Sequence, residues 1–471
     1  MSNLNFDSKY IEEPEIKFAD GESKDPRAGL IKYGPRTPSA RDEHKVAKVG
    51  IIGSANSIAG LEELFHQMSG TITSSDSRKR WKPPFPGLGE DSILKLSIDN
   101  QKRWREKISR SEIEKVKDQF GKKEKIEKAI EIVKEKIQLI YEKETPPDLV
   151  VISIPDEIYE ACTNSKSGDA KMQTDTIDFR NRLKLIGMQK GIPTQLVKPK
   201  TLRGEGTQDK SDVAWNLAVG MLYKARKGHP WKLTELEEGT CFVGLSFYQE
   251  KGDSNRTRTS MAQVFLETGE SFILRGDPFE GEKLGRGNNH LSEEDAEKLI
   301  EQVIDYYEKN KGHRPSRLVI HKSSYFWDEE KEGFLKGAED IPEKDFITIH
   351  SDSNLRAFSS KDYPVLRGTL LKNNHSNKIY LFTKGYVPSL ATFPGPGIPS
   401  PLEITPDSEV NDSSYKKICR EIMRFTKLDW NTSHFSRKEP VTIVVSRSVG
   451  PVLAEASLEE VEIDPHYYYY M

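Results

Sequence analysis

Apolar residues in the first half of the chain keep changing period. "KVAKVGIIGS" is a short β-branched run, the pattern of a buried strand, and "SIAGLEELFHQM" after it spaces Ile58, Leu61, Leu64 and Phe65 as one face of a helix. From Lys122 to Glu144 the apolar positions Ile126, Ile130, Val133, Ile137 and Tyr141 recur at steps of three or four, and Pro146-Pro147 ends that helix before the strand "DLVVISIP". "FRNRLKLIGMQKG" repeats the helix and leads through Gly191 into "IPTQLVKP"; "SDVAWNLAVGMLYKARKG" is a further helix. Helices alternating with strands predict an open sheet covered on its faces.

After "HPWKLTELEEG" the strands come consecutively, as "CFVGLSFY", "TSMAQVFLET" and "SFILRG", and antiparallel pairing is expected. Ser292-x-x-Asp295 opens the helix "EEDAEKLIEQVIDYYEKN", followed by the strand "SRLVIH", a helix near 329 to 338 and the strand "DFITIH". That order is the order of a ribonuclease H-like fold. A hairpin, "GTLLKNNHSNKIYLFTKG", a proline-rich crossing, "TFPGPGIPSPLEI", the helix "SSYKKICREIMRFTKL" and a last strand, "PVTIVVS", complete the pattern. The expected architecture is α/β: an extended arm on the surface over 1–44, a Rossmann-like domain over 45–238 and a ribonuclease H-like domain over 239–471.

A length of 471 residues fits two domains. No run of about 18 apolar residues occurs, and "MSNLNFDSKYIEEPE" lacks the basic and apolar regions of a secretory signal, so a cytoplasmic location is expected. Cys162, Cys241 and Cys419 form no Cys-x-x-Cys pair, which argues against a zinc ribbon or disulfide framework. Lys+Arg 71 against Asp+Glu 74 leaves a net charge of −3, so any anion or nucleic-acid site must be a local cationic cluster. "VGIIGSANSIAG" has the place of a dinucleotide loop, but Gly50, Gly53 and Gly60 do not make G-x-G-x-x-G, which disfavours a nucleotide-dependent metabolic enzyme. "SNRTRTS", "LGRGNNH" and "KPKTLRG" are further cationic segments, whereas Trp327 and Trp430 are expected in the core.

Arg180 and Lys184 stand four apart on one helix, Gln195 lies on the next strand, and Lys224 lies near the end of the next long helix. Two readings fit these four residues: a pocket for a terminal phosphate, or an ordinary solvated helix face.

The succession "FRNRLKLIGMQKGIPTQLV", "NLAVGMLYKARKGHPW", "FVGLSF", "RPSRLVIHKSS", "PGPGIPSPLEI", "FTKLDWN" and "PVTIVVSRSVGPVLAE" resembles, in order, the MID and PIWI domains of prokaryotic Argonautes, and with no PAZ-like region before it, the short members of that family. The resemblance implies a guide 5′-phosphate seat made of Arg180, Lys184, Gln195 and Lys224, although "KARKG" departs from the family's usual Lys-x-Gly-Gly. It also implies that the tail "PHYYYYM" brings the Met471 carboxylate there, beside a Mg2+ ion; without the resemblance the tail reads equally as an edge strand or a frayed end. An active PIWI site gathers several carboxylates around two metals. This chain has Ser246 and Ser323 at two of those positions, a further family position is expected near Glu455, and the glutamate of the family's loop has no evident counterpart. The implied function is guide-RNA-directed recognition of single-stranded DNA without cleavage. The implied partner is an APAZ-containing effector, NAD-degrading (TIR or sirtuin-like) by preference, in defence against plasmids or phages, with a heterodimer that assembles further on activation. The rivals are an active PIWI endonuclease and pairing with a nuclease effector.

Overall fold

The computed structural model describes residues 6–37, 44–75, 80–163, 178–205, 208–234, 236–249, 257–265, 271–280, 290–395, 397–456 and 463–471. In the first half Leu96–Asp99, Lys45–Gly53, Leu149–Ser153 and Thr194–Leu196 lie side by side in that order and run parallel, with Arg105–Lys107 also paired to Lys45–Gly53. Because strand side chains alternate faces, Ile52, Val150 and Ile152 pack under the helices Lys122–Tyr141 and Phe179–Gln189, while Val49, Ile51 and Val151 join the core on the other face, shared with the helices Ala55–Met68 and Lys210–Arg226. This is the doubly covered sheet that the alternating pattern predicts. The strands Leu96–Asp99 and Arg105–Lys107 and the helix Arg110–Lys117 were not legible in that pattern.

The large sheet of the second half has the parallel strands Thr240–Gln249, Arg317–Lys322 and Glu343–His350 at its centre. Thr257–Phe265 and Ser271–Glu280 extend it antiparallel on one side, and Leu402–Asn411, Ile379–Leu381 and Thr369–Asn373 extend it on the other. Helices Glu293–Lys311 and Asp328–Gly337 cover one face, and the first is capped by Ser292, whose side chain accepts from the Asp295 amide.

Two expectations are corrected. "PVTIVVS" is the start of a helix, Val441–Ala456, packed between the strand Thr240–Gln249 and the helix Phe179–Gln189. Val441, Thr442, Ile443 and Val445 are at most 2% exposed, whereas Val444 and Ser448 are half-buried and Pro451 is exposed, and packing of the buried face overrides the strand preference of β-branched residues. The arm does not merely lie on the surface. Phe6–Tyr10 adds an edge strand to the large sheet through Thr369–Asn373, Ile16–Lys17 pairs with Lys232–Leu233, and Pro26–Tyr33 is a helix capped by Asp25. Ile16, Phe18 and Leu30 are buried in the main core, and Glu13 is ion-paired to Arg367 (2.7 Å) and Lys427 (2.5 Å). Single apolar residues among prolines and charges carry no period, which is why the arm read as surface.

Candidate functional site

The helix Phe179–Gln189 begins at Asp178, whose side chain accepts from the Asn181 amide. Gly187 lets it lie close on the next turn: a Cβ there would be 2.6 Å from both the Ile192 carbonyl oxygen and Thr194 Cγ2. That close packing brings Arg180 and Lys184 beside Gln195 on the strand Thr194–Leu196. Arg180, Lys184, Gln195 and Met471 line one cavity of about 10 Å³. Lys224, in the last turn of the helix Lys210–Arg226, does not line the cavity but is bonded to two residues that do: its Nζ donates to the Thr194 carbonyl (3.0 Å) and to Gln195 Oε1 (2.6 Å). That helix ends at Lys227 with φ 52°, a left-handed position usually taken by glycine, just before Gly228. All four cluster residues therefore meet, and Met471 meets them.

The electrostatics are those of a seat for an anion. Arg180 stands at the exposed rim while Lys184 and Lys224 are buried. Burial, and then the neighbouring Arg180, push the Lys184 ammonium down to about 7 against the pull of Asp178. Burial together with Lys184 and Arg180 holds Lys224 well below the usual lysine range. An incoming anion would relieve this crowding of positive charge. A resident divalent ion does not fit the side chains as they stand, because cations surround the cavity and Gln195 Oε1 already accepts from Lys224.

Sequence alone did not foresee how the tail is held. Tyr467, Tyr468, Tyr469, Tyr470 and Met471 are buried, Lys184 Nζ donates to the Tyr470 carbonyl (2.7 Å), and the Tyr470 hydroxyl donates to the Asp464 carbonyl (2.8 Å). "KPKTLRG" is a second feature of the site. Lys198, Lys200 and Arg203 line a groove of about 610 Å³ that shares Gln195 and Leu196 with the small cavity. The segment "LGRGNNH" up to residue 289, and residues 254–256 of "SNRTRTS", lie outside the described residues. Trp430 is fully buried as expected, but Trp327 is 37% exposed and stacks on His290 at 4.3 Å.

Ser246 and Ser323 also come together. The pairing of Leu245 with Lys322 brings the next residues, Ser246 and Ser323, level at the C-terminal ends of adjacent parallel strands. Gly244 packs on the Thr442 carbonyl and His321 Nδ1 is 2.8 Å from Thr442 Oγ1, so by alternation Ser246 sits on the face covered by the helix Val441–Ala456, while Ser323, just past the end of its strand, is exposed. Glu455 is not there. The helix passes from Thr442 beside Gly244 to Gly450 beside Tyr248, which places Glu455 about 14 Å along the helix from the stretch beside Ser246. Its carboxylate accepts from the Asp178 amide (2.7 Å) and its carbonyl from Arg182 (3.0 Å), joining the two halves of the chain. The expectation of a nuclease position near Glu455 is corrected accordingly.

No protein-family model and no curated protein matches the chain. Solved structures do. Clostridium butyricum Argonaute bound to a guide DNA and a 19-mer target DNA superposes with a TM-score of 0.67 at 16% identity, over 98% of this chain and 55% of that one. Drosophila Piwi gives 0.60 at 14% over 98% and 56%, and Marinitoga piezophila Argonaute in complex with a 5′ OH guide RNA gives 0.58 at 13% over 97% and 59%. The chain thus spans little more than half the length of the structures it matches. Over nearly all of its own length it carries the fold of Argonaute and Piwi proteins, a Rossmann-like MID half followed by a ribonuclease H-like PIWI half.

Proposed function

We propose that this chain holds the 5′-phosphate of a guide RNA at Arg180, Lys184, Gln195 and Lys224 and uses the guide to recognise complementary single-stranded DNA without cutting it. The observation that carries this reading is the meeting of those four residues in one cationic seat on a fold whose solved examples include guide complexes. Base pairing would supply the sequence specificity and protein contacts the backbone grip. The serines argue against cleavage on chemical grounds, since a neutral hydroxyl is a poor bridge between two divalent cations. Mg2+ belongs to this reading only as a companion of the bound phosphate, whose oxygens with the Met471 carboxylate would supply the anionic donors that the side chains lack.

A non-cutting guide complex needs a second activity to report a match. We assign that activity to an APAZ-containing effector, NAD-degrading of the TIR or sirtuin-like kind, acting in defence against plasmids or phages; a nuclease effector is the alternative. Co-purification from the native host identifies both guide and partner. The guide reading is tested by affinity for 5′-phosphorylated and 5′-hydroxyl strands of one sequence. Lys184→Ala and Gln195→Ala are each expected to lower the first by about tenfold or more and leave the second unchanged. Equal loss for both strands, or none, sinks it.

A further inference from the structure

The seat is closed from inside. Its cavity of about 10 Å³ has room for about one water, far less than a phosphate monoester. Its buried donors are also engaged: Lys184 with the Tyr470 carbonyl at 2.7 Å, Lys224 with the Thr194 carbonyl and Gln195 Oε1. What holds the tail here is distributed unevenly. Tyr467 is set against Trp430 and Tyr468 against Tyr223, with ring centroids 6.5 and 5.9 Å apart, and Tyr470 is tied to Asp464 through its hydroxyl. Met471, beyond these anchors, is the tail residue lining the cavity itself.

We infer that Met471 is a stopper that must move before a terminal phosphate enters, and that the Tyr470 carbonyl holds Lys184 in place of the ligand until then. This deepens the guide reading and rests on it. The tyrosines keep the tail and its terminal carboxylate docked while the Met471 side chain swings aside, so entry requires a local shift and leaves the core intact. The stopper acts on the rate of entry. It also favours a doubly charged phosphate, because a weak or neutral 5′ end gives Lys184 nothing better than the carbonyl it already holds. Met471 is therefore a specificity-determining residue for the 5′ end.

The test measures association rates of the full chain with 5′-phosphorylated and 5′-hydroxyl strands of one sequence, for the wild type, Met471→Gly and Met471→Trp. Met471→Gly opens the cavity and is expected to speed the phosphorylated strand about tenfold, whereas Met471→Trp slows it by a similar factor. Far-UV circular dichroism reports correct folding of both variants, each of which keeps the terminal carboxylate, and the ratio of the phosphorylated to the 5′-hydroxyl rate carries the effect. A wild type that prefers the 5′-phosphate, with both variants matching its rates, overturns the stopper and leaves the guide reading standing. A wild type whose dissociation constants, measured in the same experiment, are equal for the two strands overturns the guide reading and the stopper with it.

Discussion

Lys184 is charged only under strain, and that fixes the sign of a pH effect. Its ammonium is pushed down to about 7 in the fold against a usual 10.5, so between those values the unfolded chain binds more protons and the stability of the free protein rises with pH. A bound phosphate favours the charged form, and it must then draw a proton onto Lys184 when the pH is above about 7. Burial first, and then Arg180, oppose that proton and Asp178 favours it, so burial sets the direction. Affinity for a 5′-phosphorylated strand is expected to fall by up to about tenfold per pH unit above this point. The 5′-hydroxyl strand is expected to show a flat profile, and Lys184→Arg, whose guanidinium keeps its proton, to flatten the first. Dissociation constants measured from about pH 6 to 9, with proton uptake from calorimetry in two buffers, check this. The seat was legible at this scale because helix period and strand register carry side-chain direction: Arg180 and Lys184 share a face, and Gln195 lies on the next strand. The Tyr470 carbonyl and the Glu455 contact to Asp178 were not legible, since both span more than 250 residues of sequence with no periodic signal.

Elements with a sustained apolar period were legible, whereas short ones such as Leu96–Asp99 and Arg110–Lys117 were not. The helix Val441–Ala456 was missed because its wet stripe among the described residues is narrow (Val444, Ser448, Pro451) and its β-branched start reads locally as a strand. The structure makes its position checkable. A Cβ on Gly244 would lie 2.0 Å from the Thr442 carbonyl oxygen and 2.8 Å from its carbon, and backbone cannot yield as a flexible side chain does. Gly244→Ala is therefore expected to destabilise the protein by about 1–3 kcal/mol, read from the urea midpoint, although it adds a single methyl to a strand. A neutral result would mean that helix and strand are further apart. The arm supplies a second case. Glu13 bridges Arg367 and Lys427, and those cations hold its carboxyl below the usual carboxylate range although burial pushes it up. A depressed carboxylate contributes stability above its unfolded pKa and loses it as the pH falls through the folded one. Glu13→Ala leaves two buried cations without their shared anion, and a loss of about 3–5 kcal/mol is expected. If denaturation midpoints place Glu13→Ala within the range of exposed-site substitutions, the arm is a surface strap after all.

At the scale of the whole molecule, the seat is shared between the halves. Arg180, Lys184, Gln195 and Lys224 come from the first and Met471 from the second, and Glu455 ties the latter half to the start of the seat helix. One continuous buried cluster runs from Phe18 in the arm through Val49 and Trp215 to Phe242, Ile418 and Tyr470. A net charge of −3 over 471 residues could not have announced this, because opposite charges on the outer faces cancel a local cationic seat. The shared core predicts that the two halves unfold together, and the shared seat predicts that a ligand at the 5′ end stabilises both. By linkage, a 5′-phosphorylated strand at about 100 times its dissociation constant adds about 2.7 kcal/mol to the folded state. Calorimetry on the full chain should show one transition that moves upward with strand concentration, and Lys184→Ala should remove about half of that movement or more. Two transitions, with only one of them responding, would mean that the halves are coupled through neither the core nor the seat, and that the phosphate contacts belong to the first half alone.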